Sequence, residues 1–91
     1  MSSFELSLTH RGDGTLEAAY IRVRVGDVDR TDEIVEDTLL ADYDKAGQLL
    51  GLELLGPITL EDLTGLVDEM LRDRLAAALE RRAPEFFSQA A

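Results

Sequence analysis

The stretch Thr38–Gly56, TLLADYDKAGQLLGLELLG, decides how this chain reads. Two apolar runs flank Asp44-Lys45-Ala46-Gly47, the composition of a β-hairpin. Asp44 suits the first position of a type I turn, where its carboxylate accepts a hydrogen bond from the backbone two residues on. Gly47 stands where the chain passes into the left-handed region, which glycine enters without steric cost. A type I turn closed by a glycine bulge is a common hairpin connection. With Asp44 facing Gln48, a regular ladder predicts Tyr43 opposite Leu49, Asp42 opposite Leu50, Ala41 opposite Gly51, Leu40 opposite Leu52 and Leu39 opposite Glu53. Side chains alternate across a sheet. Leu40, Leu50, Leu52 and Leu54 are then expected on a core face, and Leu39, Ala41, Tyr43, Leu49, Gly51, Glu53 and Leu55 on a mixed second face.

Upstream, residues 3–9 alternate cleanly and predict a half-buried strand with Phe4, Leu6 and Leu8 on one side. Arg11-Gly12-Asp13-Gly14 is a turn by composition. Its Arg-Gly-Asp tripeptide reads as a chance match, since short motifs recur freely. Residues 15–25 predict a second strand, with Ile21, Val23 and Val25 pointing one way and Tyr20, Arg22 and Arg24 the other. Residues 28–37 are acidic, with a short strand around Glu33–Val35.

After Gly56-Pro57 the apolar spacing changes from two to 3.6. Leu60, Leu63, Leu66, Val67, Met70, Leu71, Leu75 and Leu79 trace one face of a helix over 59–83. Thr59 and Asp62 have capping-box spacing, and Arg81 and Arg82 suit the last turn. Pro84 ends the helix, and the 84–91 tail carries Phe86 and Phe87. The expectation is an α+β domain spanning 1–91: a small antiparallel sheet of four to five strands over 3–56, a β-meander, with one long C-terminal amphipathic helix packed on one face. A helix of roughly 24 residues would be ~36 Å long, longer than the sheet is wide. Its overhang, the Phe pair and the mixed second sheet face therefore predict a homodimer.

The 91 residues suffice for one modest core, and 45% are hydrophobic. There is no cysteine, which excludes disulfides and thiolate metal sites. No apolar run approaches the ~20 residues that span a bilayer, and no secretory signal is visible, so a cytoplasmic location and no membrane are expected. Net charge is −10. Residues 27–44 hold eight acids against Arg30 alone. Such a surface repels phosphate backbones and attracts a basic protein partner.

Two segments, Glu17-Ala18-Ala19-Tyr20-Ile21-Arg22 and Asp42-Tyr43-Asp44-Lys45-Ala46-Gly47-Gln48-Leu49-Leu50-Gly51-Leu52-Glu53-Leu54, together resemble a bacterial family, domain of unknown function 2283. The family pairs a D-A-L-Y-I strand with a D-x-D-x-x-G-x-x-x-G-I-E-I hairpin. Here Glu17 replaces the first Asp and Ala19 the Leu. The likeness covers about residues 15–56. It implies a small antiparallel sheet with a helix and carries over no catalytic residue.

Tyr20, Arg22, Arg24, Tyr43 and Glu53 are expected to gather on the second sheet face, where guanidinium forks could hold an anion. An ion pair from Arg22 or Arg24 to Glu53 is the plainer account of that face. The acidic segment offers Asp27, Asp29, Asp32, Glu33, Glu36 and Asp37. Asp42, Asp44, Gly47 and Glu53 have calcium-loop spacing, but Ala46 stands at a ligand position and the flanks read as strands. Neither cluster is expected to hold a metal, and no cofactor is expected. His10 is the only histidine and has no nucleophile beside it in any motif. The sequence thus predicts a non-catalytic interaction module, a homodimer that can engage a basic partner. A small-ligand or anion binder using the Arg/Tyr face is the alternative.

Overall fold

Asp44 organises the central hairpin. Its Oδ1 accepts hydrogen bonds from the N–H groups of Ala46 (2.9 Å) and Gln48 (2.8 Å), and Gly47 takes φ +81°. The structure is a computed structural model that describes residues 3–88. The turn joins β4 (Leu39–Tyr43) to β5 (Leu49–Leu54). Tyr43 pairs with Leu49 as expected, but Leu50 is then an extra residue on β5. Asp42 pairs with Gly51, Ala41 with Leu52, Leu40 with Glu53 and Leu39 with Leu54. A one-residue slip turns a strand over. Leu39 and Ala41, not Leu40, therefore join Leu52 and Leu54 in the core, each at 0% exposure. Leu50 is buried yet lies outside the main apolar cluster.

The bulge has visible partners. The Leu50 carbonyl accepts from the N–H groups of both Val23 (2.9 Å) and Arg24 (3.1 Å). Gly26 lies against the Leu50 side chain, so close that a Cβ there would stand 3.0 Å from Cδ2. The 23–29 link thus covers Leu50. It leads from β2 (Leu16–Arg22) to β3 (Arg30–Val35), and β1 (Glu5–His10) precedes β2. The sheet order is β1-β2-β5-β4-β3, antiparallel throughout. A meander holds for β3–β4–β5, but β5 returns beside β2, so the link crosses the ends of β5 and β4. Asp29 N–H reaches the Tyr43 carbonyl there at 2.8 Å.

Past Pro57, β6 (Ile58–Thr59) leads into α1 (Leu60–Leu63). Thr59 and Asp62 form the expected capping box. The single helix expected over 59–83 is interrupted. Thr64 turns extended (ψ 127°), and Gly65 takes φ +90°. Only glycine visits that region freely. Asp68 Oδ1 then accepts from Leu71 N–H (2.8 Å) and starts α2 (Glu69–Arg82). Its 14 residues span about 21 Å, and the overhang expected from the sequence disappears. Leu71, Leu75, Ala76 and Leu79 belong to one buried cluster with Ile21, Leu39, Leu52 and Leu54.

The tail also departs from expectation. A 3-10 turn over Pro84–Phe86 leads to β7 (Phe87–Ser88), which pairs in parallel with β6. Phe86 and Phe87 are each 7% exposed, so the chain covers its own Phe pair. The end of the 84–91 tail lies outside the described residues. Phe86→Ala is expected to cost about 3 kcal/mol of stability in denaturant unfolding. A loss under about 0.5 kcal/mol would place the ring on the surface.

Candidate functional site

The outer face of the sheet is built by register. Tyr20 lies opposite Glu53 and Arg22 opposite Gly51, while Gly51 also faces Asp42. Because Gly51 has no side chain, the Tyr20 ring crosses it. A Cβ on Gly51 would stand 2.6 Å from Tyr20 Cζ and 2.9 Å from the Ile21 carbonyl oxygen. The phenol donates to Asp42 Oδ2 (3.0 Å), and the Thr31 hydroxyl donates to Asp42 Oδ1 (2.6 Å). One carboxylate thereby ties β2, β4 and β3 together above the β5 glycine. Burial first, then the hydrogen bond to Asp42 and its negative charge, push the Tyr20 phenol above its ordinary value. Each of these disfavours a phenolate.

Of the five residues expected on this face, Tyr20, Arg22 and Glu53 are there. Arg22 pairs with Glu5 (3.7 Å), across the hairpin from β1. Both partners are exposed, so the pair contributes little. Arg24 sits in the 23–29 link, where it lines a cavity of about 290 Å³ with Tyr20, Arg22 and Leu50. Tyr43 does not join them. The Leu50 bulge leaves it on the core side, packed against the apolar cluster, with the Arg30 guanidinium 4.5 Å from its ring centroid.

The acidic residues spread along one flank. Asp27 and Asp29 lie in the link and meet Asp44 and Lys45 around a surface depression of about 390 Å³. Asp32 and Glu33 lie on β3, and Glu36 and Asp37 turn the chain into β4. Asp32 pairs with Arg30 at 3.2 Å. Glu33 Oε2 accepts from Asp37 N–H (2.9 Å), at a residue with φ +58°.

The calcium-loop spacing gains one point and loses two. Asp42 and Glu53 share the outer face, contrary to the register expected from the sequence. Asp42 is held by two hydroxyls, however, and Asp44 by its own turn. Among the described residues, no three His or carboxylate side chains cluster as metal ligands. The Arg-Gly-Asp turn folds back on its hairpin: Arg11 Nη1 reaches the Leu16 carbonyl (2.9 Å) and Asp13 accepts from Thr15 N–H and Oγ1. Those Thr15 bonds hold the Asp13 carboxyl below the usual range.

Nothing in the sequence pattern singles out Thr31 and Asp42 as a pair. The available signal is Gly51, because a glycine inside an apolar strand marks close approach.

Residues 13–56 match the family model described as Protein of unknown function (DUF2283), so the resemblance holds over the two hairpin-forming segments. No curated protein and no solved structure matches the chain. Within the matched segment, four motif positions each serve the fold. Asp42 ties strands, Asp44 caps the turn, Gly47 supplies the left-handed residue and Gly51 seats Tyr20. Among the described residues, no helix is long and apolar enough to cross a membrane.

Tyr20 and Tyr43 are the only phenols, and there is no Trp, so absorbance reads them cleanly. In a Tyr43→Phe background, Tyr20 is expected to titrate above the ordinary ~10, and Asp42→Asn to bring it down. A phenol raised in the fold contributes stability that is present below ~pH 10 and lost as pH rises through the folded value. Unchanged titration in Asp42→Asn would mean that the carboxylate does not hold the phenol.

Proposed function

We propose that this chain, carrying a DUF2283 segment over residues 13–56, is a small acidic, non-catalytic module that binds a basic segment of another protein. The observation that carries the reading is where the charge lies. Asp27, Asp29, Asp32, Glu33, Glu36 and Asp37 occupy the link, the outermost strand β3 and its turn, and Asp44 joins them in space. Arg30, the one base in that stretch, is turned onto Asp32 and Tyr43. The polar side chains that do converge, Tyr20, Thr31 and Asp42, bond one another. That arrangement supports a structural role for them rather than a catalytic one.

Self-association is the second reading. Of its grounds in the sequence, the helix overhang and the uncovered Phe pair have no counterpart in the fold, and Leu39 and Ala41 of the mixed sheet face turn to the core. What favours it is the link, where Val25 is 85% exposed and Val28 54%. Adjacent exposed apolar side chains mark contact surfaces. Anion binding is the weaker alternative, because Glu5, Asp42 and Glu53 accompany Arg22 on the outer face and cancel its field.

A lysine-rich peptide is expected to bind at low salt and to be released by roughly 300 mM salt, since exposed charges are screened within ~10 Å at 0.1 M. The variant Asp29→Lys/Asp32→Lys/Glu33→Lys should bind it ~tenfold more weakly than the charge-matched control Glu61→Lys/Glu69→Lys/Glu85→Lys. Equal loss in both would make the attraction a property of net charge alone. Light scattering at twice 10.0 kDa, abolished by Val25→Asp, would favour self-association.

A further inference from the structure

The two edges of the sheet are not alike. β1 is crossed by a side chain of α2: Arg82 Nη1 donates to the Leu6 carbonyl at 3.3 Å. β3 pairs with β4 alone among the described strands, so one side of its backbone faces outward. An open strand edge is a template for another strand. Carboxylates stand on both sides of this one. Thr31 and Glu33 lie on the outer face, with Asp42 beside Thr31, and Asp32 lies on the other. The regular ladder runs from Arg30 to Glu33 and then breaks at a bulge carrying Ile34, which is 37% exposed.

We propose that the β3 edge receives a short, extended, basic segment of a partner protein as a sixth strand. The proposal rests on the acidic-module reading above and specifies its geometry. Side chains of an added strand alternate between the two faces. Basic residues on one side of it would meet Glu33 and on the other Asp32, in exchange for its pair with Arg30. Ile34 offers one apolar contact where the bulge ends the ladder. A second copy of this chain fits the edge poorly, because its own Asp32 and Glu33 would lie against these, and like charges directly opposite destabilise a strand pair. Charge therefore selects a basic occupant, and the main chain supplies the bonds, as in other strand-addition modes.

The test uses two probes of equal charge with the full chain. One is an eight-residue peptide alternating Lys with Val or Thr. The other is the same peptide N-methylated at every peptide nitrogen, which blocks strand pairing along both of its edges and leaves charge intact. The unmethylated peptide is expected to bind roughly tenfold more tightly than the methylated one and to slow hydrogen exchange at amides within residues 30–33. Equal affinity, with no added protection on β3, overturns strand addition while leaving the acidic-module reading standing. Failure of both peptides to bind at low salt overturns both.

Discussion

Gly51 lies beneath the Tyr20 ring, and much else in the fold follows from that contact. The ring can cross β5 only where a side chain is missing. Asp42 must then stand opposite Gly51 to meet the phenol, and the Leu50 bulge is what brings it there. The same bulge turns Leu39 and Ala41 toward the helix and leaves Leu50 for the 23–29 link to cover. A regular ladder would present Leu40 to the core and separate Asp42 from Gly51. Register, core and polar face are thus one choice, made at one extra residue.

This choice also bears on function. The family's hairpin motif places two aspartates, two glycines and a glutamate at fixed spacing, an arrangement that invites a metal or catalytic reading; the aspartates and glycines have visible tasks. In this fold those positions cap a turn, permit a left-handed residue, seat a ring and tie three strands. The chemistry of the motif is directed inward, at the sheet itself. What faces outward is charge, gathered on β3 and the link rather than spread evenly. The half-buried Tyr20–Asp42 pair and the Thr31 hydroxyl satisfy one another within the sheet; an exposed acidic edge does little for stability, and recognition is the role proposed for it.

The sequence made the elements legible where one residue type had one reason to be there. Asp44 and Gly47 specified their turn, Phe4-Leu6-Leu8 specified an alternating strand, and Thr59 with Asp62 specified a helix start. The register was not legible, and the cause is the leucine doublets. Leu39-Leu40, Leu49-Leu50 and Leu54-Leu55 offer an apolar side chain to either face, so alternation cannot say which one is buried. The helix break was hidden in the same way, because Leu66 and Val67 keep apolar spacing across Gly65 while sitting half-buried in the connection. Of the candidate site, Tyr20, Arg22 and Glu53 followed from β2 and β5, and Tyr43 was misplaced by the unseen bulge.

Proton-proton Overhauser contacts around Gly51 test the central claim most directly. Contacts from the Tyr20 ring to the Gly51 α-protons are expected, together with backbone contacts between Asp42 and Gly51. Contacts joining Asp42 to Leu50 and Ala41 to Gly51, with the Tyr20 ring remote from Gly51, would contradict it.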